Sequence, residues 1–165
     1  MRRLAVFLPV LLIGCSASQL PTNTPPADTI VVVKSNHTMT LYAKGRALRT
    51  YKIALGRGSG AAKQREGDHN TPEGSYIIDA KNEHSHFHRA LHVSYPNADD
   101  RRRAQGLSEN PGGDIMIHGI KNGFGWLGKL QSRVDWTDGC IAVTDDEIDE
   151  VWKMVPVGTI VRIQH

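Results

Sequence analysis

The chain has 165 residues, 39% of them hydrophobic and 22% charged, a length and composition that suit one globular domain and show no internal repeat. Its formal charge is +3, but two of its 20 Lys and Arg are Arg2 and Arg3, and without them 18 cations face 17 Asp and Glu. That balance excludes the broad basic face of a nucleic-acid-binding protein; the run Arg101-Arg102-Arg103 is local and reads as a solvated helix face.

Met1-Arg2-Arg3 is a basic start, and residues 4–13 form an apolar run interrupted only by Pro9, so residues 1–14 read as a signal peptide. Such a run is too short to span a bilayer, which needs roughly 20 residues. Leu12-Ile13-Gly14-Cys15 resembles the bacterial lipoprotein cleavage box, in which the cysteine is lipidated and becomes the first residue of the mature protein. By the same resemblance Ser16, rather than an Asp, implies release to the outer membrane. The expectation is a periplasmic protein held to a membrane by a lipid on Cys15. The tether follows, residues 15–28: Pro21, Pro25 and Pro26 lie among Ser, Thr, Asn and Ala, a composition unable to bury a core. Residues 29–165 are the single domain.

Within that domain, short β-rich runs alternate with Gly, Pro and Asn, the pattern of a mainly β, mixed α+β fold. Strands are predicted over 29–34, 38–42, 46–54, 74–80, 90–94, 114–118, 141–143 and 159–163. Ser35-Asn36 and Lys44-Gly45 mark two successive hairpin turns. A short helix is predicted over 99–105. A clearer one begins at Thr144, whose hydroxyl and Glu147 make a capping box. Ile148, Val151, Trp152 and Val155 then follow at i, i+3, i+4, i+7, and Pro156 stops the helix.

Acylation of Cys15 would leave Cys140 as an unpaired thiol in an oxidising space. A cysteine attacks as the thiolate, so a nucleophilic one needs a base. His118 is the best placed, ending a predicted strand and followed by Gly119 at a backbone bend. Gly139, lacking a side chain, lets a carbonyl approach the amides of Gly139 and Cys140, which suits an oxyanion hole. His84, His86 and His88 alternate beside Glu83 and would share one face if extended, the pattern of a metal site; a polar strand surface is the favoured reading. The glycine-rich "GRGSG" lacks the Gly-Lys-Ser/Thr ending of a phosphate loop.

The segments "IMIHG", a Trp- and Gly-containing loop and "TDGCIAVT" together resemble the catalytic segment of the L,D-transpeptidase family, the YkuD-type domain, whose usual motif is His-Gly, a spacer, then Ser/Thr-His-Gly-Cys. "NTPEGSYII", "IALGRGSG" and "LHVSYPNADD" agree with it in the same order along the chain. The resemblance implies a β-sandwich-like domain and a cysteine acyl-transferase acting on peptidoglycan stem peptides, with no cofactor. It assigns Cys140 as nucleophile, His118 as general base and the amides around Gly139 as oxyanion donors. Attack falls on the meso-diaminopimelate carbonyl of a tetrapeptide donor and expels D-Ala. An amine, including one on a protein acceptor, or water then resolves the acyl-enzyme.

This chain departs from the motif twice. Asp138 stands where the family usually has His before Gly-Cys, and Ala142 where it usually has Arg or Asn two residues after Cys. Asp138 is expected to orient His118, to bind a substrate ammonium, or merely to shape the turn. Gly119, Trp126 and Trp136 are the remaining candidates for substrate binding, the tryptophans as parts of a lid or of the core. A hydrolase with the same site and, from another class, a non-catalytic or metal-binding wall lipoprotein are the competing readings.

Overall fold

The computed structural model describes residues 24–165; the signal peptide, Cys15 and most of the tether lie outside the described residues. Eight strands form one sheet: β1 (Thr29–Val33), β2 (Thr38–Ala43), β3 (Arg46–Lys52), β4 (Gly74–Ser85), β5 (His88–Val93), β6 (Met116–His118), β7 (Ile141–Ala142) and β8 (Ile160–Gln164). Two α-helices, α1 (Ala98–Gly106) and α2 (Asp145–Met154), and two 3-10 segments, Lys34–Asn36 and Gly125–Arg133, complete the described elements. The sheet order is β3-β2-β1-β8-β4-β5-β6-β7.

The sheet curls at β4. The first half of that strand, Gly74 to Ile77, pairs with β8, and the second half pairs with β5. Side chains alternate along β1 and β2, so Ile30, Val32, Met39 and Leu41 turn inward. They meet Leu91, Val93, Ile117 and Ile141 from the other half in a single core. Each fully buried aliphatic side chain contributes about 1.5–3 kcal/mol of transfer free energy. α2 closes the core with Ile148, Val151 and Met154, while Trp152 is half-buried beneath the Lys81 ammonium, 4.3 Å from its ring centroid.

All eight predicted strands are present, and their differences from expectation have local causes. The second turn is a tight hairpin with Lys44 and Gly45 both at positive φ, +50° and +75°. The first is instead a 3-10 turn ending on His37 at φ 49°. β4 runs on to Ser85 because β5 continues to pair with it, the hairpin closing on His86 and Phe87 between Ser85 and His88. Ala27, within the segment read as tether, is buried and its amide donates to the Met154 carbonyl, so it packs onto the domain. α1 is capped by Asn97, whose side chain accepts from the Asp99 and Asp100 amides.

Candidate active site

Strands β6 and β7 are parallel neighbours, with Ile117 opposite Ile141 and His118 opposite Ala142. This register brings the end of β6 beside the start of β7. His118, the last residue of β6, and Cys140, immediately before β7, therefore line one cavity of about 390 Å³ with Phe87, Asp114, Met116, Lys121, Trp136, Thr137 and Asp138.

His118 is 3% exposed. Phe87 lies against its imidazole with ring centroids 4.5 Å apart, and Trp136 meets it edge-on at 5.7 Å. Its Nδ1 lies 2.7 Å from the Gly119 carbonyl oxygen. A carbonyl only accepts, so Nδ1 carries the hydrogen and Nε2 is left as the proton acceptor of the neutral ring. Burial pushes the His118 pKa below its ordinary 6.5, opposed by the bond to Gly119, and the ring is neutral at neutral pH.

Cys140 is half-buried, and its Sγ donates to the Asp114 carbonyl at 3.6 Å. Burial raises the thiol above its ordinary 9.0, and the carboxylates of Asp138 and Asp114 add to that rise. The Met116 amide and Lys63 act in the opposite sense. The resting site therefore holds a neutral thiol and a neutral imidazole, and ionisation of the sulfur requires proton transfer to Nε2.

The turn carrying the thiol is pinned from below. Thr137 Oγ1 donates to the Cys140 carbonyl at 2.7 Å and accepts from the Gly139 amide at 3.2 Å. Gly139 sits at φ +123°, and a Cβ there would lie 2.8 Å from the Asn70 carbonyl oxygen. Only glycine combines that backbone with that contact. The segment after β3 runs beside this turn: Ala54 and Ala142 exchange two 2.9 Å backbone bonds, and the Arg57 amide donates to the Thr137 carbonyl at 2.9 Å.

Asp138 lines the cavity without orienting His118, whose Nδ1 partner is the Gly119 carbonyl. Its carboxylate pairs with Arg57 at 2.8 Å and lies 2.8 Å from His69 Nδ1, at an angle too poor for a hydrogen bond. Gly119 packs behind the imidazole; a Cβ on it would lie 2.8 Å from Asp145 Oδ1. Trp136 lines the cavity, whereas Trp126 is 77% exposed and does not. The histidine run is broken by the β4–β5 turn, and His88 Nε2 contacts Asp149 at 2.9 Å. Among the described residues no three His, Cys, Asp or Glu side chains converge as a metal site would require.

Arg57, His69, Phe87 and Asp114 were not singled out from the sequence. Phe87 interrupts the alternating histidines of "HSHFHR", an aromatic at a hairpin tip, and that position was its available signal. The other three reach the site only through the path of the chain.

The L,D-transpeptidase catalytic domain model of the YkuD family matches residues 27–163. YafK of Escherichia coli K12 is 29% identical over 177 aligned positions, covering 94% of this chain and 64% of YafK, so the chain spans less than two thirds of that relative. Among solved structures, the helical cell shape determining protein Pgp2 of Campylobacter jejuni is similar at a TM-score of 0.64 and 24% identity, over 86% of this chain and 48% of Pgp2. An L,D-transpeptidase of Xylanimonas cellulosilytica is similar at 0.58 and 17%, over 86% and 62%. The mainly β curled sheet with its short helices is the fold these structures share, and the chain belongs to the YkuD family of L,D-transpeptidase catalytic domains.

Proposed function

We propose that the protein is a cysteine acyl-transferase that cleaves peptidoglycan stem peptides after meso-diaminopimelate. The observation that carries this reading is the shared cavity of Cys140 and a neutral His118 whose Nδ1–H is tied to the Gly119 carbonyl. The thiol leaves its bond to Asp114, gives its proton to His118 Nε2 and attacks the carbonyl of the penultimate residue. A C–S bond forms as the C–N bond to D-Ala breaks, and His118 returns the proton to the leaving amine. The oxyanion is assigned to the turn amides. That of Gly139 is shared with Thr137 Oγ1, and that of Cys140 takes no protein acceptor among the described residues. An incoming amine or water then releases the acyl group.

Ala142 favours keeping hydrolysis as the second reading. Its side chain is a buried methyl and offers no polar group to an acceptor where the family usually has Arg or Asn. Incubating the purified protein with disaccharide-tetrapeptide separates the outcomes: dimeric muropeptide means transfer, tripeptide alone means hydrolysis. If neither forms and a carbapenem adds no mass at Cys140, the acyl-enzyme chemistry is wrong. Lipidation of Cys15 and outer-membrane attachment complete the proposal, supported by the lipoprotein-like "LIGC" stretch. Fractionation of cells making the parent and Cys15→Ala tests it. A role in cell shape, by similarity to Pgp2, belongs to the same reading.

A further inference from the structure

Three contacts converge on one oxygen of Asp138. Arg57 Nε and Nη2 lie 3.0 and 2.8 Å from Oδ1, and His69 Nδ1 lies 2.8 Å from the same atom. Oδ2 has no partner among the described residues, nor has Arg57 Nη1. The carboxylate is 72% exposed and the guanidinium 55% exposed. Asp138 lines the cavity two residues from the nucleophile, and Arg57 is fixed to the same turn through its amide bond to the Thr137 carbonyl.

An ion pair that used all its hydrogen-bonding capacity would be a structural clamp. This one holds the carboxylate by a single oxygen and presents an anionic acceptor beside a cationic donor where Asp138 lines the cavity. We propose that Arg57 and Asp138 together read a zwitterionic amino-acid end of the donor: Asp138 Oδ2 accepts from its ammonium while Arg57 Nη1 donates to its carboxylate. This rests on the acyl-transfer reading and narrows its substrate to stem peptides whose third residue carries an unblocked ammonium and carboxylate on one carbon.

The test uses three tetrapeptide donors differing only at the far end of the third residue: free meso-diaminopimelate, its carboxamide and its N-acetyl derivative. D-Ala release gives kcat/KM for each. The parent protein is expected to prefer the free form over both others by about tenfold, the scale of a charge-assisted hydrogen bond. Arg57→Gln should erase the preference over the carboxamide while keeping that over the N-acetyl donor, and Asp138→Asn should do the reverse. Ratios between donors cancel any common effect of Asp138 on the thiol. Equal turnover of all three donors by the parent, or variants that scale every donor alike, overturns the inference alone. Turnover of none by the parent overturns the acyl-transfer reading and this inference with it.

Discussion

Burial drives the two titrations at the site apart, His118 downward and Cys140 upward, and that separation governs the pH dependence of any reaction they share. General-base attack needs a neutral ring and an un-ionised thiol. Protonation of His118 removes the base only below the ordinary imidazole value of 6.5, and the thiol ionises by itself only above 9.0. A kcat/KM profile for D-Ala release should thus be level through neutrality, with its acid limb below 6.5 and any alkaline limb above 9.0. An acid limb above 6.5 would contradict the buried neutral base. Asp138→Asn removes one of the charges that raise the thiol, so the pH midpoint for iodoacetamide alkylation of Cys140 should fall. The adjacency of Asp138 to the cysteine, and hence this effect, was readable in the sequence. The partner of His118 Nδ1 was not, because Asp138 and the Gly119 carbonyl were both chemically suitable and only the fold decides between them.

At the scale of elements, the first turn of α2 does two separable things. Thr144 accepts from the Glu147 amide and Glu147 Oε2 accepts from the Thr144 amide, a capping box legible from spacing alone. Thr144→Ala should cost about 1 kcal/mol in urea unfolding and leave kcat unchanged. Asp145 Oδ1 accepts the Ile120 amide at 2.8 Å and stands against Gly119, so this turn holds the bend whose carbonyl orients His118. Asp145→Ala should cost about 1–3 kcal/mol by stranding that amide and should also lower kcat. A variant that loses stability but keeps full kcat would separate the bend from catalysis. The cap could be read because its partners are three residues apart. The 3-10 segment Gly125–Arg133 could not, because it is interrupted at Gly128, φ +48°, and shows no helical period.

Over the whole molecule, the strand-rich halves are joined by pairings that alternation and turn residues announce, which is why the strands were recoverable from the sequence. The connection from β3 to β4, residues 53–73, has turn residues but no strand alternation, yet it supplies Arg57, His69 and Asn70 to the nucleophile's turn. Polar anchors replace strand pairing there. Lys34, buried at the end of β1, donates to the Ala61 and Thr71 carbonyls and to Glu73, and Asp68 gathers the amides of Gln64, Arg65 and Asn70 and the ammonium of Lys63. Burial alone would raise the Asp68 pKa; the Gln64 and Arg65 amides and Lys63 outweigh it and hold the carboxyl at about 2, below its ordinary 3.8. A carboxyl depressed in the native state stabilises it above the unfolded value and loses that contribution as pH falls through the folded one. Urea midpoints of the parent and Asp68→Asn should therefore differ by a constant amount above about pH 5 and converge as pH falls from 3.8 towards 2. A gap that persists unchanged to pH 2 would mean that Asp68 acts by shape and not by charge. Convergence would mean that the Asn70 backbone against which Gly139 packs is held by an ionised carboxylate.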